Sequence, residues 1–221
     1  MQIEKVNGFW VPSNDVHIQD WKKNKNFTQS KCLEKLIKHC QKKDLKFNYI
    51  LDIGAWVGTW SMAMNRFCGR VVAFEPDPIH YQCLVKNVSG DVETHQLAVG
   101  AENKMISLSE DNFTQAKRVV GEGTIPMVTI DSLQLEDVDL IKIDVEGYEM
   151  EVLKGFDIKY YQPNVISIEF LDFKMNKMEF KNNDLERILN SNIYKYFADN
   201  NYYFVNWIHA DLIFVHKKFR D

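Results

Sequence analysis

Apolar residues along the chain follow two rhythms: short continuous runs of strand length, and stretches in which they recur three and four positions apart. Tyr49-Ile50-Leu51-Asp52-Ile53, Val71-Val72-Ala73-Phe74, Leu140-Ile141-Lys142-Ile143 and Val165 to Ile168 are runs of the first kind. Runs like these bury both faces, as strands of a parallel sheet do when helices cover it. The second rhythm predicts a helix from about Thr28 to Lys43, capped by Thr28, with Cys32, Leu33, Leu36, Ile37 and Cys40 on one face. It also predicts helices over Thr59 to Phe67, stopped by Gly69, and over Tyr148 to Lys154, closed by Gly155. Asp77 can cap a further helix with Pro78 at its first position, and Tyr81, Leu84, Val85 and Val88 form its apolar face. A third strand is expected over about Thr94 to Val99, and another helix around Asp184 to Asn190.

The chain ends in two strand-like runs, Tyr202 to Trp207 and Leu212 to Val215, whose short connection fits only an antiparallel hairpin. The expected fold is therefore α/β: a seven-stranded, mostly parallel sheet with a C-terminal antiparallel hairpin and helices on both faces. Between about Gly100 and Thr129 the rhythm breaks. Met105 to Leu108 and Ile125 to Ile130 look like short strands, and the polar stretch Ser109 to Gly123 between them includes Gly121-Glu122-Gly123. This predicts a substrate-side insertion with a mobile tip that could act as a lid. Residues 1–45 are expected to form an arm and helix packed on the core, and 46–221 the main domain.

Composition narrows the function. The 221 residues are 45% hydrophobic and 26% charged, which suits a globular domain with a sizeable core. A formal charge of -4 argues against a nucleic-acid partner, which would draw on clustered Lys and Arg. Cys32, Cys40, Cys68 and Cys83 form no C-x-x-C pair and have apolar neighbours, so reduced, buried thiols are expected. Met1-Gln2-Ile3-Glu4-Lys5 lacks the apolar core of a signal peptide, and no stretch reaches membrane-span length. A cytoplasmic location without membrane attachment follows as an expectation.

Three segments carry candidate chemistry. The turn after the first core strand reads Asp52-Ile53-Gly54-Ala55-Trp56-Val57-Gly58, a glycine-bearing loop whose backbone could approach a ligand closely. Trp56 stands where a dinucleotide fingerprint needs its middle Gly, so a pyrophosphate would be crowded. Glu75-Pro76 ends the second strand, where a carboxylate can accept both hydroxyl hydrogens of a ribose. Loop and acid together point to a nucleoside-containing cofactor, NAD or S-adenosylmethionine. Asp144 and Glu146 leave the fourth strand and Glu169 the fifth, at the carboxyl ends where such sheets bind ligands. A carboxylate there could orient or deprotonate a hydroxyl nucleophile. Three acids could also hold a divalent metal, although a plainer reading has Glu146 or Glu149 capping the next helix while Lys142 offsets the charge; a metal is not favoured. His80, on a helix, is expected at the surface. His17 and His209 are expected to be structural, and most tryptophans to pack in the core.

Four segments resemble the FkbM family of S-adenosylmethionine-dependent methyltransferases: Ile50-Leu51-Asp52-Ile53-Gly54-Ala55-x-x-Gly58, Val72-Ala73-Phe74-Glu75-Pro76-Asp77-Pro78, Thr129-Ile130-Asp131-Ser132-Leu133 and Ile141-Lys142-Ile143-Asp144-Val145-Glu146-Gly147-Tyr148-Glu149. The resemblance runs from about Tyr49 to Phe170. It implies a Rossmann-like class I methyltransferase fold and methylation of a hydroxyl on a sugar, glycan or small metabolite. It matches Asp52, Gly54 and Gly58 to the cofactor loop and Glu75 to the ribose-binding acid; with their neighbours Ala55, Trp56 and Pro76 these are the expected S-adenosylmethionine contacts, and Asp144, Glu146 and Glu169 are the expected catalytic acids. Where the family usually has Asn after Gly-Ala, this chain has Trp56. The competing functions are an N-methyltransferase acting on nucleic acid, whose customary Asn/Asp-Pro-Pro-Tyr/Phe run is absent, and a non-catalytic nucleoside-binding module.

Overall fold

A computed structural model describes residues 2–13, 15, 18, 35–38, 40, 42, 47–66, 68–88, 90, 92–109, 117–170, 185–208 and 210–219. The elements begin with a hairpin, β1 (Ile3–Val6) and β2 (Phe9–Pro12). The main run follows as β3 (Phe47–Ile53), α1 (Thr59–Met64), β4 (Cys68–Phe74), α2 (Pro78–Asn87) and β5 (Val92–His95). After the insertion strands β6 (Ala98–Val99), β7 (Lys104–Leu108) and β8 (Val119–Val128) come β9 (Leu140–Ile143), α3 (Glu149–Lys154), α4 (Ile158–Tyr161) and β10 (Val165–Glu169). The chain closes with α5 (Leu185–Asn190), α6 (Asn192–Asp199), β11 (Tyr202–Ile208) and β12 (Asp211–His216).

The seven-stranded sheet runs β11-β12-β10-β9-β3-β4-β5. β10, β9, β3, β4 and β5 pair in parallel, while β12 is antiparallel to β10 and to β11. Alternation assigns the two faces. Leu51, Ile53, Val72, Phe74, Ile141, Ile143, Ile166 and Ile168 pack with Val152 and Leu153 of α3, Ile158 of α4 and Phe197 of α6. Ile50, Val71, Ala73, Leu140 and Ile213 pack on the other side with Trp60 and Met64 of α1, Leu84 of α2, and Leu36 and Cys40. Residues 35–38, 40 and 42 are the part of the expected Thr28–Lys43 segment that falls among the described residues, and all are helical; Thr28 and Cys32 lie outside them.

Several boundaries differ from expectation. Gly69 does not stop a helix: α1 ends at Met64, and Gly69 lies within β4, close enough to Asn48 that a Cβ would stand 3.1 Å from its carbonyl oxygen. The expected strand Thr94 to Val99 is two strands in different sheets, since the chain leaves the main sheet after His95 and joins β8 at Ala98. Gly121-Glu122-Gly123 is part of β8, not a loop tip. The β7–β8 ladder shifts register around Ser107, and a Cβ on Gly123 would meet the Ser107 Oγ at 2.2 Å and the Ile106 oxygen at 2.4 Å. Close strand approach is therefore what that glycine supplies. The remainder of the expected tip, 110–116, lies outside the described residues, as do His17, Trp21 and His209. Among the described residues no helix is long and apolar enough to cross a membrane.

Candidate active site

Parallel register brings the candidate residues together. Asp52 of β3 sits opposite Lys142 of β9, which sits opposite Ser167 of β10, in a polar row buried across the middle of the sheet. Two residues further on, the same face carries Gly54, Asp144 and Glu169, with Glu75 following β4 and Asp211 opposite Glu169. The row is one side-chain layer below the ligand-binding edge of an open α/β sheet.

Lys142 links the layers. Its ammonium is buried and donates to the Gly54 carbonyl at 2.8 Å, with Asp52 Oδ1 at 3.4 Å and Asp144 Oδ2 at 3.3 Å. Burial works against its charge, but the carboxylates of Asp144, Asp52 and Asp211 outweigh that, and its pKa is raised. Asp52 is fully enclosed, and its Oδ2 accepts from the Ser61 hydroxyl of α1 at 2.5 Å. The Asp52 side chain thus holds the loop from behind, while the Gly54 and Ala55 amides both donate to the Phe74 carbonyl and the Gly58 amide to that of Ala55. Gly54 (φ 79) is required by its neighbour, since a Cβ would stand 1.8 Å from the Asp144 carbonyl oxygen. Gly58 (φ 86) opens α1 against Leu84.

Trp56 also has left-handed backbone (φ 50), and its N–H donates to Glu75 Oε2 at 2.8 Å. Glu75 Oε1 accepts from the Asp77 N–H at 2.9 Å, so each oxygen of this buried carboxylate keeps a lone pair for another donor. Asp77 caps α2 through the Ile79 and His80 N–H groups and pairs with Lys117 at the foot of β8. His80 corrects the expectation of a surface role: it is buried beneath this turn, its Nδ1 3.7 Å from Glu75 and 3.8 Å from Asp77. Burial disfavours its charge, yet attraction to the nearby Glu75 carboxylate, with Asp77 and Asp15 adding to it, raises its pKa. The signal was its spacing, because His80, Cys83 and Leu84 share the inner face of α2.

Asp144, Glu146 and Glu169 converge, with one carboxylate oxygen of each lying within 4.8 Å of the others. Glu146 (φ 57) and Gly147 (φ 95) curl the loop after β9 back over the edge. Glu149 does not cap α3, whose first turn has no side-chain cap; its Oε1 instead accepts from the loop N–H groups of Gly147 and Val145 at 3.0 and 3.2 Å. Burial pushes the Glu146 carboxyl up to about 8, and Asp144 and Glu149 push the same way against Arg118 and Lys142. Burial likewise raises Glu169 well above the usual range, reinforced by Asp144 and Glu146. A crowded group of acids that resists full ionisation is suited to receiving protons or a cation.

Known proteins share this sequence and topology. The profile of the methyltransferase FkbM domain matches residues 52–196. Methyltransferase 1 of Beauveria bassiana is 30% identical over 166 aligned residues, covering 58% of this chain and 66% of its own length. Hexuronic acid methyltransferase AglP of Haloferax volcanii is 28% identical over 129 residues, covering 53% of this chain and 54% of its own. The chain thus spans between 54% and 66% of the length of these curated relatives. A protein of Staphylococcus aureus provisionally assigned as a caffeoyl-CoA O-methyltransferase superposes with TM-score 0.51 at 11% identity, over 93% of this chain and 92% of its own, and shares the class I methyltransferase fold. Because the profile match starts at Asp52 behind the glycine loop, ends inside α6 and takes in more than half of the chain, the chain belongs to the methyltransferase FkbM domain family.

Proposed function

We propose that this chain is an S-adenosylmethionine-dependent methyltransferase that O-methylates a hydroxyl of a sugar, glycan or small metabolite. The observation that carries this reading is the contact of Lys142 with both the Gly54 carbonyl and Asp144, which makes the glycine loop and the acid cluster walls of one crevice. The family, and a curated relative named for a hexuronic acid, support methyl transfer and a carbohydrate-class acceptor.

The residues present fit the cofactor. Glu75 retains acceptor capacity on both oxygens for the two hydroxyls of a ribose, and the Gly54–Gly58 backbone permits close approach of the rest. S-adenosylmethionine supplies an electrophilic methyl group on a sulfonium. On the acceptor side, the acid cluster of Asp144, Glu146 and Glu169 orients the hydroxyl and assists loss of its proton as the new O–C bond forms and the S–C bond breaks. Holding the acceptor oxygen in line with that bond supplies most of the rate.

Calorimetry with S-adenosylhomocysteine tests the reading. Wild type is expected to bind, and Glu75→Gln to bind at least about tenfold more weakly, since a hydrogen bond to a charged group is worth about 1.5–3 kcal/mol. Absence of wild-type binding overturns the cofactor assignment, and equal affinity in the variant overturns the role of Glu75. Transfer of labelled methyl to a pool of hydroxylated sugars then tests the acceptor class.

A further inference from the structure

We propose that Asp144, Glu146 and Glu169 form a binding site for a hard divalent cation of the Mg2+ or Mn2+ class. Its role in methyl transfer rests on the function proposed above; the binding itself does not.

The geometry is that of a shared ion. Oxygens bonded to one hard cation stand about 2.0–2.6 Å from it, so any two of them are at most roughly 4–5 Å apart. One oxygen from each of the three carboxylates meets that limit, at 4.8 Å or less. The three come from two adjacent parallel strands: Asp144 just past β9, Glu146 in the loop that turns back over it, and Glu169 at the end of β10.

Glu169 supplies an independent observation. The residue is 9% exposed, and its buried Oε2 receives no hydrogen bond among the described residues. Leaving a buried acceptor unanswered costs about 1–3 kcal/mol. Nearby carboxylates have a donor or a cation: Ser61 donates to Asp52 Oδ2 while the Lys142 ammonium faces its otherwise unbonded Oδ1, the Trp56 and Asp77 amides serve Glu75, and the Val145 and Gly147 amides serve Glu149. Glu169 instead has its carboxylate beside two more acids, an arrangement that a cation between them would satisfy. Lys142 does not fill this role, because its ammonium is shared between Asp52, the Gly54 carbonyl and Asp144.

The donor set selects the ion. Three carboxylates with neither His nor Cys suit Mg2+, Mn2+ or Ca2+ over zinc or copper. Three protein oxygens leave about three positions of an octahedron for water or for neighbouring hydroxyls of an acceptor. An acceptor hydroxyl bound there would lose its proton more readily, the proton passing to water as oxygen takes the methyl carbon.

The test is a titration of the metal-stripped full chain with Mn2+, following free Mn2+ by electron paramagnetic resonance. About one ion per chain is expected, with a dissociation constant below about 1 mM. Glu169→Gln and Glu146→Gln are each expected to weaken it at least about tenfold, whereas Glu151→Gln on the exposed surface of α3 leaves it unchanged. Glu169→Gln preserves shape and removes a crowded charge, so its melting temperature without metal should equal or exceed wild type. Mn2+ should raise the melting temperature of wild type but not of this variant. Absence of saturable binding by wild type overturns the site, as does equal affinity in Glu169→Gln or an equal loss in Glu151→Gln. S-adenosylhomocysteine calorimetry on the same samples separates the two proposals. Cofactor binding without Mn2+ binding overturns only the metal site, and Mn2+ binding without cofactor binding overturns only the function above.

Discussion

Gly54 and Gly58 have the same kind of backbone but different neighbours, and that difference sets what each position tolerates. A Cβ on Gly54 would overlap the Asp144 carbonyl oxygen at 1.8 Å, and backbone at the end of a central strand cannot step aside. A Cβ on Gly58 would meet Leu84 Cδ1 at 2.6 Å, the far end of a side chain that can rotate. Left-handed backbone costs a non-glycine residue about 1–2 kcal/mol at either place. Gly54→Ala adds overpacking of about 1–3 kcal/mol and pushes apart the two walls of the crevice. In urea unfolding, Gly54→Ala is expected to lose roughly 2–5 kcal/mol and Gly58→Ala roughly 1–2. S-adenosylhomocysteine binding should fail in the first. Equal losses in the two variants would mean that the Asp144 contact does not set the requirement for glycine.

Among the elements, α2 joins the Glu75–Asp77 turn, the insertion and the N-terminal hairpin. Its cap Asp77 holds Lys117, and its last residue Asn87 holds β2. The Asn87 amide accepts from the Trp10 N–H at 2.7 Å and donates to the carbonyls of Trp10 at 2.7 Å and Val57 at 2.8 Å. Asn87→Ala removes all three bonds and is expected to cost about 1–3 kcal/mol. Hydrogen exchange should quicken in β1 and β2 while β3 and β9 stay protected. Unchanged protection of the hairpin would show that apolar packing of Val6, Val11 and Ile18 anchors it without Asn87. Sequence reading succeeds and fails here for physical reasons. The central strands were legible because both of their faces are buried, which leaves continuous apolar runs. Of β8 only the end from Ile125 was legible; Val119 to Thr124 was not, because nearly all of those residues are exposed and their pairing is irregular, so neither alternation nor a run marks them. α6 was missed because its apolar residues are aromatic and β-branched, and only the Ser191 cap and the Ile193/Phe197 spacing betray it. The acids at the strand ends were legible from topology alone. The partners that hold them, Ser61 with Asp52 and Lys117 with Asp77, were not, since the pairing of Lys117 spans 40 residues and exists only in the folded chain.

For the molecule as a whole, the carboxyl edge of the sheet is a concentration of buried charge that makes stability depend on pH. Below the Glu75–Asp77 turn, His80 faces Glu75, Asp77 and Asp15, and its pKa in the folded state is raised. A raised folded value means the imidazolium contributes its full stabilisation below the unfolded value near 6.5 and loses it as pH climbs through the folded one. Asp77 acts in the opposite sense: burial raises it, but His80, Lys117 and its backbone donors bring it below the usual carboxylate range. Its contribution is complete above about 4 and fails only in acid. Glu146 and Glu169, which hold protons to higher pH than ordinary carboxyls, also lower stability as pH rises, so the slope of wild type alone is composite. The difference between wild type and His80→Gln isolates the imidazole near neutrality, because Glu146 and Glu169 contribute equally to both and Asp77 titrates only in acid. That difference in urea unfolding free energy is expected to be constant and to favour wild type below about pH 6.5, then to shrink through neutrality. Buried thiols do not confuse the window, since burial pushes Cys40 and Cys83 up to about 12 and their unfolded forms ionise only near pH 8.5 and above. A difference that stays level from pH 6 to 8 would mean that His80 is neutral beneath Glu75, and that the charge balance of the Glu75–Asp77 turn rests on the Asp77 pair with Lys117 instead.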